Sequence, residues 1–162
     1  MSVTSVDKDL DNLTLTLIAD FDAPVERVWQ LWSDPRQLER WWGPPEYPAT
    51  FERHELREGG TVTYYMTGPE GEKFPGYWKV TAVTAPSSLA FTDGFADENG
   101  QPNDDMPLSD TAVELIERDG GTRMTLKTRF ESREQMDQLI AMGMDQGLTQ
   151  AVGQMDDLLV AA

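Results

Sequence analysis

Residues 122–160 read TRMTLKTRFESREQMDQLIAMGMDQGLTQAVGQMDDLLV, and the spacing of apolar side chains changes partway along. Met124, Leu126, Thr128 and Phe130 alternate with more polar neighbours, the period of a strand with one buried face. From Met136 onward, Ile140, Gly143, Gly147, Ala151, Met155 and Leu159 recur at steps of three and four, and Leu139, Leu148, Val152 and Leu158 widen the stripe. This predicts a long amphipathic helix from about Arg133 to Val160, about 40 Å if unbroken. Ser132 followed by Gln135 fits a capping box at its start. Glycine in a helix interior costs about 1 kcal/mol relative to alanine. Gly143 and Gly147 on the buried stripe therefore imply either close packing against a strand or open space beneath the helix.

Upstream, Asp119-Gly120-Gly121 is a tight hairpin signal joining Thr122–Phe130 to a strand over Thr111–Arg118. Residues 96–110 form a long acidic loop. Leu89–Phe95, Phe74–Thr84, Thr61–Thr67 and Ala49–Arg57 read as further strands, separated by turn-rich segments at 85–88, 68–71 and 58–60. Pro75 marks an irregular start or an edge. Ahead of them lie a strand over Leu13–Phe21 and two short helices. The first follows Pro24 and carries Val25, Val28, Trp29 and Trp32 on one face. The second starts after Ser33-Asp34-Pro35, runs through Leu38 to Trp41-Trp42 and stops at Gly43-Pro44-Pro45. Residues 1–11 are polar and read as a flexible N-terminus, ahead of a single domain over 12–162.

The fold class that follows is α+β: a curved antiparallel sheet of about seven strands wrapped around the C-terminal helix, because a meander cannot bury its apolar face alone. Such packing leaves room between sheet and helix, a natural ligand site.

Thirteen Lys and Arg stand against twenty-nine Asp and Glu, a net charge of −16. That balance argues against nucleic acid and anionic membrane surfaces as partners. There is no cysteine and one histidine, so thiolate chemistry and His-rich metal sites are excluded. No secretory signal and no apolar run of membrane length is present, which leads to the expectation of a cytoplasmic protein without metal or cofactor. Conventional catalytic constellations are thin. His54 is the one conventional base, and no serine stands in a nucleophile elbow. Glu52, Glu55, Asp93 and Asp97 are carboxylates that could approach a cavity, although charged strand residues usually form a solvated outer face. The acidic loop at Asp97-Glu98-Asn99-Gly100 lacks the ligand spacing of a calcium loop.

The segments Phe21-Asp22-Ala23-Pro24-Val25-Glu26-Arg27-Val28-Trp29, Trp32-Ser33-Asp34-Pro35 and Trp41-Trp42-Gly43-Pro44 resemble the opening of the heat-shock-protein-90 ATPase activator homologue 1-like family, within the START/polyketide-cyclase-like (SRPBCC) superfamily. Leu56–Gly60, Met66–Gly71, Phe95–Gly100 and Gly121–Leu126 continue the match. The resemblance implies a helix-grip fold with a deep, mostly apolar cavity. It does not imply chaperone activation, and it transfers no catalytic residue. Where the family often carries Gly-Trp in the last helix, this chain has Gly147-Leu148.

The leading expectation is binding of a small hydrophobic or aromatic, lipid- or polyketide-like molecule between sheet and helix. Phe51, Tyr64, Met66, Trp78, Phe91 and Phe95 would shape the cavity from the sheet. Ile140, Gly143, Met144 and Gly147 would shape it from the helix, and Trp41 or Trp42 would line its mouth. Its polar contacts would come from Tyr64 and from Arg53 or His54, depending on whether a bulge at Gly60 shifts the register. Arg53 would suit a ligand carboxylate. Two alternatives stand beside this: a cyclase- or dehydratase-type enzyme using the same cavity, marked by a buried ionisable pair, and a chaperone-associated or homodimeric interaction module built on an exposed Trp42 or on Pro44-Pro45-Glu46-Tyr47-Pro48.

Overall fold

Alternation of apolar residues sets the sheet, and the turn residues set its connections. The computed structural model describes residues 3–160. The elements run β1 (Val3–Asp9), β2 (Thr14–Phe21), α1 (Val25–Ser33), α2 (Pro35–Leu38), β3 (Ala49–His54), β4 (Thr61–Thr67), β5 (Lys73–Thr84), β6 (Ser88–Phe95), β7 (Ser109–Arg118), β8 (Gly121–Phe130), α3 (Arg133–Ala141), α4 (Met144–Gly153) and α5 (Met155–Val160). Among the described residues the strands form one antiparallel sheet in the order β1-β2-β8-β7-β6-β5-β4-β3. The sheet curves against the C-terminal helices in an α+β helix-grip arrangement.

The inner face follows the period of two. Leu15, Leu17, Ala19 and Phe21 of β2 are buried, as are Met124, Leu126, Thr128 and Phe130 of β8. Val62 pairs with Trp78 and Trp78 with Asp93, which places these three on one face in register. The β7–β8 hairpin turns at Asp119 and Gly120, both at positive φ, as a two-residue turn matched to the strand twist requires.

Three expectations change. The sheet has eight strands, because Val3–Asp9 forms β1 along β2 instead of hanging free. This strand is almost entirely exposed, so it carries no apolar alternation to announce it; residues 1, 2, 161 and 162 lie outside the described residues. The second helix spans only Pro35–Leu38 and Trp41-Trp42 follow it in turns. The C-terminal helix is not one rod. Gly143 adopts φ +90 between α3 and α4, a left-handed conformation that no continuous α-helix contains. A second break falls at Gln154, whose side-chain amide donates to the carbonyls of Trp41 (3.2 Å) and Gly43 (2.6 Å) and ties the helical segment to the turn after α2.

Side chains reach both edge strands of the sheet. At β3, Arg36 of α2 donates to the Phe51 carbonyl (2.8 Å) and Glu39 accepts from the Phe51 N–H (3.1 Å), which satisfies edge groups otherwise open to pairing. At β1, Lys8 bonds Asp145 of α4 at 3.0 Å. The main core is continuous from α1 through the sheet to Ala151, Val152 and Met155. A separate small cluster of Leu15, Phe130, Met136 and Leu139 seats α3.

Candidate functional site

Between α1 and the sheet, aromatic rings fill the interior. Trp32 packs edge-on to Trp41 (4.8 Å), Trp42 to Trp78 (4.9 Å), and Trp78 stacks on Phe91 (4.1 Å). Beyond Trp42, under α3 and α4, the filling stops. Gly143 and Gly147 present no side chain there, and a cavity of about 270 Å³ remains. An apolar cavity of about 150 Å³ already accommodates benzene. Its wall includes Trp42, Met66, Phe95, Leu126, Met144 and Leu148. Phe74 and Met142 line the cavity yet are 50% and 55% exposed, so they stand at its mouth.

The polar end is built by β4 and β6. Tyr64 Oη donates to Asp93 Oδ1 at 3.1 Å. Removal from water pushes the Asp93 carboxyl up to about 7, against the opposing pull of the Tyr64 bond and the Gly94 N–H. Burial also pushes the Tyr64 phenol well above its ordinary range, and the nearby Asp93 charge adds to this. The indoles of Trp42 and Trp78 act on Tyr64 in the opposite sense, although neither Nε1–H has a hydrogen-bond partner. Across β7 and β8, Ser109 stands opposite Asp93 in register, and the hydroxyls of Thr111 and Thr128 bond each other at 3.1 Å. A polar stripe therefore crosses one wall of an otherwise apolar chamber. Asp93 and Tyr64 are the ionisable residues on it, and Lys, Arg and His are absent from the lining among the described residues.

Of the residues the sequence singled out, Tyr64, Met66, Phe95, Gly143, Met144 and Gly147 come together on the cavity wall. Phe51, Trp78 and Phe91 are core beneath it, each at most 2% exposed. Ile140 packs against the cluster that seats α3. Trp41 is fully buried and donates its indole N–H to the Leu31 carbonyl (2.9 Å); its neighbour Trp42 is the one that reaches the cavity. Trp42 is itself buried, so it offers no surface patch, whereas Pro45, Glu46, Tyr47 and Pro48 are exposed.

Neither Arg53 nor His54 lines the cavity. The register slips between Phe51 and Arg53, not at Gly60, and this bulge turns His54 inward opposite Val62. There Nε2 donates to the Trp32 carbonyl (3.1 Å), and burial holds the imidazole below its ordinary range. Arg53 points to solvent and pairs with Glu55 at 3.0 Å. Asp97 turns its carboxylate onto the N–H groups of Asn99 and Gln101. Among the described residues no group of three or more His, Cys, Asp or Glu is placed to hold a metal ion.

Of the four carboxylates that could approach a cavity, Asp93 is the one on its wall. Its parity was the available signal: it sits two residues from both Phe91 and Phe95, on the strand face that turns inward.

The model of the family described as Activator of Hsp90 ATPase homolog 1-like protein matches residues 22–160. No curated protein matches the chain. The crystal structure of a Mycobacterium smegmatis protein is 53% identical and covers 99% of this chain and 98% of its own, at a TM-score of 0.91. The solution structure of an Arthrobacter aurescens protein is 50% identical, covering 99% and 94%, at a TM-score of 0.95. A Silicibacter pomeroyi protein at 23% identity, covering 91% and 98% with a TM-score of 0.74, shares the fold. No helix among the described residues is long and apolar enough to cross a membrane.

Proposed function

The chain belongs to the Activator of Hsp90 ATPase homolog 1-like family, and on that premise we propose that it binds a small hydrophobic or ring-bearing molecule between the sheet and the C-terminal helices. The observation that carries this reading is the chamber itself: about 270 Å³ with aromatic, methionine and glycine walls and a mouth at Phe74 and Met142. Apolar area removed from water supplies about 25 cal/mol per Å² before the costs of association. A thermal-shift screen of fatty acids, flavonoids and aromatic polyketides tests it. A ligand at one hundred times its Kd stabilises by about 2.7 kcal/mol, a rise of roughly 5–10 °C for a chain of this size. Absence of any shift from every apolar class would reject the reading.

The Asp93–Tyr64 pair favours a second reading, in which the cavity also moves a proton. A carboxyl held near neutrality inside an apolar site is suited to accept a proton from a bound molecule and return it. Wash-in of deuterium from solvent into a bound carbon acid, abolished by Asp93→Asn, is the corresponding test.

A further inference from the structure

The aromatic wall and the single carboxylate together specify a ligand more narrowly than apolar shape does. The geometry points to a cationic ligand: an amine with an aromatic or alkyl body, its ammonium seated against Asp93 and its body among Trp42, Met66, Phe95 and Met144. This rests on the cavity being a ligand site.

Four observations carry it. The first is charge. Asp93 is the one acidic group on the lining, and no basic side chain accompanies it among the described residues. A carboxylate offers about four acceptor positions; the Tyr64 hydroxyl occupies one of them. The second is desolvation. Asp93 is half-buried on the cavity wall, so the fold has already removed part of its hydration, and a guest ammonium supplies the counter-charge the site lacks. The third is the wall. The rings of Trp42 and Tyr64 flank this end, and aromatic faces attract cations as well as apolar bodies. The Ser109, Thr111 and Thr128 hydroxyls on the adjoining stripe provide neutral acceptors for the remaining N–H groups. The fourth is the field of the whole chain. A net charge of −16 draws cations and repels anions. Arg53, the residue a carboxylate ligand would need, pairs with Glu55 outside the chamber.

The experiment compares four probes of matched shape at pH 8: phenethylamine, phenethyl alcohol, phenylacetate and ethylbenzene, with binding followed by NMR shifts of the cavity methionine methyls. The expected order places the amine first and phenylacetate last. The amine should lose about 30-fold or more in Asp93→Asn, the lower range for breaking a buried charge pair, while ethylbenzene binds both proteins alike. The wild-type series alone decides the matter if the variant fails to fold. If the alcohol or ethylbenzene equals the amine, or phenylacetate binds as well, the inference is overturned and the cavity reading stands. If none of the four binds, the inference is overturned, and the cavity reading is decided by the thermal-shift screen of larger apolar molecules.

Discussion

Tyr64 reaches Asp93 by passing over the glycine of the strand between them. Tyr64 lies on β4 and Asp93 on β6, and the residue of β5 opposite Tyr64 is Gly76. A Cβ at position 76 would stand 2.7 Å from both the ring carbon Cζ and the hydroxyl of Tyr64. The hydrogen bond at the polar end of the chamber thus depends on the absence of one methyl group.

Gly76→Ala should therefore displace the Tyr64 ring and break its bond to Asp93. Overpacking in a well-filled region costs about 1–3 kcal/mol, measurable in urea. Tyr64→Phe removes the same bond without the clash and should cost about 1 kcal/mol. Equal stability of Gly76→Ala and wild type would refute the crossing.

The Asp93 carboxyl should give stability a distinct pH dependence. An aspartate titrates near 3.9 in an unfolded chain, and near 7 in this fold. Below about pH 4 both states hold the proton and Asp93 costs nothing. As pH rises toward 7 the unfolded chain gives up its proton first, so stability falls, by roughly 4 kcal/mol in full. Tyr64 and Tyr77 are the titratable groups that feel Asp93, and both stay neutral across this range. His54 has the opposite sign, because its lowered pKa makes the fold gain stability as pH rises through 6.5. Asp93→Asn removes only the first contribution. The variant should gain on wild type from pH 4 to about pH 7 and level off above that in urea titrations, and parallel profiles would contradict the placement of Asp93.

Two glycines of the C-terminal segment should respond in opposite ways to alanine. Gly143 has open space around its missing Cβ but sits at φ +90, where an L side chain costs about 1–2 kcal/mol. Gly147 is inside α4, where a Cβ would meet Pro44 at an ordinary 3.5 Å. Gly147→Ala should stabilise by up to about 1 kcal/mol, and Gly143→Ala should destabilise; thermal melts separate the two.

Arg53→Ala should change neither ligand affinity nor stability by more than about 0.5 kcal/mol, since an exposed pair contributes little. A large loss of affinity would place Arg53 in the site after all.

Much of this architecture was legible from residue spacing. Val62, Tyr64 and Met66, and Met124 through Phe130, reveal the inner face because a period of two has one physical solution in a half-buried sheet. What escaped depended on contacts between distant segments. β1 buries almost nothing, so no pattern marked it. The choice between Arg53 and His54 turned on a bulge that leaves no local signature. Trp41 and Trp42 lie in turns, where neither period assigns an inward side. Gly143 and Gly147 look alike in the helical stripe, yet one is a break and the other a helix interior. Asp93 was visible by parity and hidden by its charge.

The left-handed joint at Gly143 divides the roof of the chamber into panels with separate fastenings. The panel before the joint, α3, is pinned by Leu15, Phe130, Met136 and Leu139, a patch distinct from the main core. Swinging it aside would break the contacts of that patch, which Met144 and Leu148 join to α4, and would leave the tryptophan-filled half of the molecule in place. A guest's residence time should accordingly respond to substitutions at Met136 and Leu139, the two side chains of that patch that α3 itself carries.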